Sequence, residues 1–202
     1  MHDTEHPFYA KSAREQRVVQ IRIAVAAVAV NTLLATLCVL AGLYPLPLLF
    51  IAATLSVIAP FFDQPAMKKR GDLVYYSSLF VAERERNGVI KVHGGSLLDY
   101  AYVIDRSLNG TQRINQVLIG YIDGLLNLMA VHRDRDLSRV MIRGTSYIVN
   151  ERTARRIGLK QEANPPIQVL ILAFNFVNLT VSLSLARGRL SFPTLSNTST
   201  YE

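Results

Sequence analysis

From Ile23 to Phe62 the chain runs forty residues without a charge, bounded by Arg22 and Asp63. About 20 apolar residues cross a bilayer as a helix, so a run of this length makes two crossings if the chain turns midway. Tyr44, Pro45 and Pro47 supply the turn. The two prolines remove backbone donors and fix φ, and Gly42 just before them reaches conformations other residues avoid, so the first span is expected to end near Leu43 and the second to run from Pro47 to Pro60. Lys11, Arg14, Arg17 and Arg22 precede the first span, as they would in a signal peptide. However, the apolar stretch exceeds the ~7–15 residues of a signal core, and a second span follows at once.

Composition agrees. Half of the 202 residues are hydrophobic and 18% are charged, against roughly 25% charged in an ordinary soluble domain, which excludes a disordered or fully soluble chain. Positive charge flanks both outer ends of the hairpin, with Lys68, Lys69 and Arg70 after the second span, and the turn carries none. Both ends are therefore expected to face the cytoplasm from a plasma or inner membrane. Asn31 and Cys38, within the first span, read as packing against the partner helix. A single cysteine excludes an intrachain disulfide, in keeping with a reducing compartment.

The expected organisation is a cytoplasmic N-terminal segment (1–18), a transmembrane hairpin (19–63, turn near 43–47), a cytoplasmic mixed α/β (α+β) domain (64–163), an apolar segment (164–186) and a tail (187–202). Residues 64–163 hold sixteen Lys/Arg against ten Asp/Glu. No zinc-finger spacing, aromatic RNP-like strand or long basic helix accompanies that excess, so an anionic leaflet is the expected partner and nucleic acid is not. Arg133, Arg135, Arg139 and Arg143 alternate with Asp134 and Asp136, which reads as a solvated, partly self-paired connection.

Within the domain, Leu73 to Arg86 reads as a helix, Asn87-Gly88 as a turn, and Val89 to His93 as a strand broken by Gly94-Gly95. Tyr100 to Ile104, aromatic and β-branched, reads as the next strand. Ile114, Val117, Leu118, Tyr121, Ile122, Leu125 and Met129 recur at helical spacing, giving a long helix with Thr111 as N-cap and its end at His132. Val140 to Arg143 reads as a strand, and Thr145 or Ser146 as the cap of a helix ending at Gly158. Ala163 to Ala186 is charge-free, yet Asn175, Asn178 and Ser182 fall on one helical stripe. It is expected to be a non-spanning helix packed on the hairpin or in the interface, ahead of a buried strand (Leu179 to Leu185 alternates) or a third crossing.

The succession Tyr102-Val103-Ile104-Asp105, a Gly-containing loop, a long amphipathic helix, the strand Val140–Arg143 and a helix closing on Ala154-Arg155-Arg156-Ile157-Gly158-Leu159 resembles the second half of the GNAT superfamily of N-acyltransferases, over about sixty residues. The resemblance implies a strand at Tyr102 splayed from its neighbour, and an acyl-CoA pyrophosphate held by loop amides and a helix N-terminus. It places Arg106, Asn109, Gly110 and Thr111 at the cofactor. Gly158-Leu159 stands where the family has Gly-Phe. The loop has one glycine, displaced by one position, and Tyr147 opens the final helix, where the family has its acid near the end.

Among the residues themselves, His93, beside two glycines, is a candidate general base with Asp99 orienting it, the plain alternative being a turn with a surface histidine. Arg143-Gly144-Thr145-Ser146-Tyr147 offers a cation, hydroxyls and helix-terminal amides for phosphate or carboxylate, or capping alone. His2, His6, His93 and His132 are scattered, so no metal site is expected. Walker, dinucleotide, Gly-x-Ser-x-Gly and His-Glu-x-x-His signatures are absent. Two functions remain in view. One is a membrane-anchored GNAT-like acyltransferase acting from acyl-CoA on a membrane-proximal acceptor. The other is a non-enzymatic subunit or adaptor of a larger membrane complex, with a membrane-protein partner or self-association.

Overall fold

The computed structural model describes residues 6–133, 140–146, 161–162, 171–193 and 199–201. In chain order the elements are α1 (Ala13–Leu40), α2 (Leu46–Ile58), α3 (Pro60–Arg70), β1 (Leu73–Ser77), β2 (Phe80–Glu83), β3 (Val89–Gly94), α4 (Leu97–Val103), α5 (Gly110–Val131), β4 (Met141–Ser146), β5 (Gln161–Glu162), α6 (Phe176–Arg187) and β6 (Ser199–Tyr201). The protein is mixed α/β, with an apolar helical hairpin at its N-terminal end.

Helix α1 starts at a capping box. Ser12 Oγ accepts from the Glu15 amide at 3.3 Å, and the Glu15 carboxylate accepts from the Ser12 amide at 2.8 Å, which satisfies two amides that have no intrahelical partner. A turn over residues 41–45 reverses the chain, with Gly42 at φ +74°, a value a side chain rarely allows. Antiparallel packing of α1 on α2 and α3 follows from two side-chain bonds. Thr54 donates to Asn31 Oδ1 at 3.4 Å, and Gln20 donates to the Phe61 carbonyl at 2.9 Å. Asn31 thus packs on the partner helix.

Between α2 and α3 the axis bends by 41° at Pro60, the residue whose ring and missing N–H interrupt the helical ladder. Proline at position i leaves the carbonyl at i−4 without its donor. For Pro60 that carbonyl is Ser56, and Asn178 of α6 donates to it at 2.6 Å. Pro65 inside α3 likewise frees Phe61, the carbonyl that Gln20 reaches. Both carbonyls freed by proline are thus capped by side-chain amides from other helices, as an apolar surrounding demands. By length and apolarity, α1 and α5 could each cross a bilayer, and the bent pair α2–α3 is a third such unit.

The sheet has the order β1-β2-β3-β4-β6-β5, antiparallel throughout except for the parallel pair β3–β4. Leu73–Arg86, expected as a helix, is therefore a hairpin and the start of its following turn. Gly71, left-handed at φ +74°, stops α3, and Val74, Tyr75, Tyr76, Phe80 and Val81 are the β-branched and aromatic types a pleated surface accommodates. Phe80, Val81 and Ala82 are all buried. Successive strand residues point to opposite faces, so β2 is covered on both sides, and its continuous apolar run mimicked part of a helical face. Asn87 and Gly88, both at positive φ, make the turn into β3.

Tyr100–Ile104, expected as a strand, is instead the end of α4 and its extended C-cap, Ile104. Ser96 and Asp99 form a capping box, and this reciprocal pair of bonds starts a helix whatever the β-propensity of the tyrosines that follow. The cap of α5 is Asn109, paired with Gln112, two residues before the expected Thr111. The helix stops at His132. Thr145 and Ser146 lie on β4 opposite Thr200 and Ser199, and the helix expected after them falls outside the described residues.

Leu79, Tyr100, Ile104, Val117 and Ala186 form the core, flanked by Val103, Ile114, Tyr121 and Leu185. Helix α5 lies close on the β1–β2 hairpin. A Cβ on Gly124 would come within 2.3 Å of Phe80 Cβ, and Ser77 donates to the Gly120 carbonyl. Helix α6 joins the two halves of the molecule, packing on α2, α4 and α5. The expected stripe serves that contact, since Asn178 bonds to α2 and Ser182 Oγ donates to Asn178 Oδ1 at 3.2 Å.

Candidate functional site

The sequence-predicted residues do not converge. His93, on β3, has Nε2 3.0 Å from Glu83 Oε1 on the neighbouring strand, and both side chains are part-exposed. Asp99 is engaged elsewhere, so it does not orient His93. Tyr147 lies outside the described residues.

The loop 105–109 bonds to itself. Asp105 accepts from the hydroxyl (2.7 Å) and amide (2.8 Å) of Ser107, and these bonds, with Arg113 nearby, hold its carboxyl below the usual carboxylate range. Asn109 Oδ1 accepts the Gln112 amide at 3.0 Å and Gln112 returns the bond. The Arg113 guanidinium donates to the carbonyls of Leu108, Arg106 and Leu185. Gly110 meets the end of α6, where a Cβ would stand 2.2 Å from the Arg187 carbonyl oxygen. A carboxylate and a carbonyl oxygen therefore crowd the α5 N-terminus, where a pyrophosphate would need free donors. Nor does a splayed strand stand beside β4, whose partners are β3 and β6.

A different polar cluster is built, and it lies around Asp99. Asp99 is 0% exposed and His6 is 2% exposed. The segment before α1 folds back so that Phe8, fully buried, stacks edge-on with Tyr102 at 5.2 Å between centroids. That places His6 Nε2 3.1 Å from Asp99 Oδ1. The His6 Nδ1 accepts the Phe8 amide at 3.2 Å, which assigns the ring proton to Nε2. Nε2 has the distance of a bond to Asp99 but not its direction, and it is left without an aligned acceptor. Tyr75 donates to Asp99 Oδ1 at 2.8 Å, and the Ser96 amide donates to Oδ2 at 2.6 Å. Tyr9 and Tyr75 hydroxyls lie 3.2 Å apart, and the Lys68 ammonium sits 4.0 Å above the Tyr9 ring.

These contacts make a buried joint. Burial pushes the Tyr9 phenol up to about 12, with the Asp99 charge adding to the rise. Burial, then Asp99 and Tyr9, push Tyr75 further in the same direction. Both phenols stay protonated at neutral pH, so neither serves as a general base there. Sequence reading missed His6, which stands 93 positions from Asp99 with no spacing to connect them. The Ser96–Asp99 capping box was the available signal for α4.

One polar arm of this cluster reaches an opening. Gln64 Oε1 accepts from Ser96 Oγ at 2.8 Å and lies 3.0 Å from the Tyr75 hydroxyl, whose one proton it shares with Asp99, and Gln64 also lines a groove of about 410 Å³ at the Pro60 bend. Leu55, Ala59, Pro60 and Phe174 form its apolar wall; Ser56, Asp63, Asn175 and Asn178 complete the lining. Among the described residues, no three His, Cys, Asp or Glu side chains gather as a metal would require. Compared with protein-family models, curated proteins and solved structures, the chain matches none.

Proposed function

We propose that the chain is a non-enzymatic membrane subunit or adaptor. Its hairpin crosses the plasma or inner membrane twice, both ends lie in the cytoplasm, and the α/β domain presents a helical face to a protein partner in the same membrane assembly. The observation that carries this reading is the outer face of α5. Ile119, Ile122, Leu126 and Met129 are 59%, 59%, 58% and 56% exposed. Their three-four-three spacing aligns them in one seam of the kind that receives a second helix. A contiguous apolar stripe on a folded domain marks an interaction surface. Burial of His6 and Phe8 against Tyr75, Asp99 and Tyr102 supports the topology, because the segment before the hairpin and the domain after it share one side.

An acyltransferase needs an open anion site at residues 109–111, and the self-capped loop weighs toward the non-enzymatic reading. The test is a photoreactive amino acid at position 122 or 126, with position 112 as control, irradiated in native membranes. Protein adducts from 122 and 126 but not 112 are expected. Adducts with lipid alone, or none, would overturn the subunit reading. A saturable thermal shift with acetyl-CoA or palmitoyl-CoA would restore the acyltransferase.

A further inference from the structure

The groove at the Pro60 bend has an apolar wall and a polar lining that suit one kind of occupant. We propose that it holds the headgroup of an aminophospholipid, with the primary ammonium on the Asp63 carboxylate; this rests on the reading of α1 and α2 as bilayer-embedded.

Location is the first argument. The groove lies where the charge-free run ends at Phe62 and before Lys68, Lys69 and Arg70, the depth at which a headgroup meets its acyl chains. Its volume of about 410 Å³ falls in the range of small-ligand sites. The exposed Leu55 and Phe174 offer apolar surface to the chains.

Unspent polar groups are the second argument. The side chain of Asp63, an exposed residue, makes no hydrogen bond or ion pair among the described residues. Asn178 has its amide on Ser56 and its carbonyl oxygen on Ser182, so both polar ends are taken. Asn175 gives its amide to Ile171, leaving the carbonyl oxygen as an acceptor. Gln64 has its oxygen fixed by Ser96 beside the Tyr75 hydroxyl, leaving its amide N–H groups as donors. The groove therefore offers one charged acceptor, one neutral acceptor and one amide donor. An ethanolamine headgroup presents the complement: an ammonium with three N–H groups beside a phosphate. Choline has no N–H to give, and an anionic headgroup without an amine would meet Asp63 as a like charge.

The test uses the full chain extracted in mild detergent, with native mass spectrometry after adding dioleoyl-phosphatidylethanolamine, -phosphatidylcholine or -phosphatidylglycerol at equal concentration. Occupancy by one phosphatidylethanolamine should exceed either of the others about fivefold, the scale of one charge-assisted hydrogen bond at a part-exposed site. Asp63→Asn, which removes no internal contact, should bring that ratio to about one. Equal occupancy, a preference for phosphatidylglycerol, or a preference indifferent to Asp63→Asn overturns the assignment. A chain that stays dispersed without detergent or lipid overturns the membrane reading as well, whereas one that needs detergent and shows no headgroup preference loses only this inference.

Discussion

At the scale of residues, the tightest constraint lies around Asp99. A fully buried carboxylate is tolerated only when donors reach it, and Asp99 has the Tyr75 hydroxyl and the Ser96 amide, with the buried His6 ring packed 3.1 Å away. Truncating a large, fully buried side chain to alanine leaves a cavity and costs about 2–5 kcal/mol. His6→Ala should therefore destabilise the detergent-solubilised chain by several kcal/mol. His6→Ala combined with Asp99→Asn should cost less than the sum of the single changes, since the neutral amide needs fewer donors. Additive losses in thermal unfolding would mean that the two side chains are not coupled. The phenols make a second prediction with a definite sign. The Tyr9 phenol rises from 10.0 in the unfolded chain to about 12 in the fold, so the unfolded state loses that proton first. Stability contributed by the neutral phenol is intact below pH 10 and is lost as pH rises from 10 to about 12. Tyrosinate absorbance should show Tyr9 and Tyr75 ionising after the exposed phenols, and Tyr75→Phe should remove one late step.

At the scale of elements, the bent pair α2–α3 depends on helices that lie far away in sequence. Asn178→Ala leaves the Ser56 carbonyl without a donor, a loss of about 1–3 kcal/mol in an apolar surrounding. Pro60→Ala restores a backbone N–H four residues on, so in that background Asn178→Ala should cost less, losing only the bond from Ser182. An equal loss in both backgrounds, read from unfolding midpoints in detergent, would separate Asn178 from the proline. The same pairing logic explains which elements the sequence displayed. The hairpin was legible because charge-free length is a local property, and the turn at Asn87-Gly88, β3, and helix α5 with its end at His132 followed from adjacent residues, although Ile122 and Met129 of the expected apolar face lie on its outer side. Strand β2 was hidden because burial on both faces erases the alternation that marks a strand. Helix α4 was hidden because Tyr100, Tyr102 and Ile104 carry strand propensity, and only the Ser96–Asp99 box outweighs it. The candidate site was the least legible part. His93 and Asp99 are six positions apart and were read as partners, yet each is held by a residue from elsewhere, Glu83 and Tyr75.

At the scale of the whole molecule, the hairpin is a loop closed at both ends. Residues 6–11 dock on α4 and β1, and α6 ties the domain back to α2 through Asn178. If the hairpin enters a bilayer, as proposed above, those two closures put its flanking segments on one side of it, and a full crossing would place Tyr44 at the far turn. Single cysteines report this directly once Cys38 is replaced by Ser. Lys11→Cys and Lys69→Cys should react with a membrane-impermeant maleimide only in inside-out vesicles, and Tyr44→Cys only from the opposite face. Reaction of Tyr44→Cys from the same side as Lys69→Cys would make the hairpin a re-entrant loop, with its turn inside the cytoplasmic leaflet. Opposite sides for Lys11→Cys and Lys69→Cys would be incompatible with the His6–Asp99 joint, because a buried contact between two parts of one folded domain cannot straddle a membrane. The predicted pattern is the one in which the proline bend lies near the inner interface, the capped carbonyls lie in apolar surroundings, and the seam of α5 stands on the cytoplasmic side, where a partner helix can reach it.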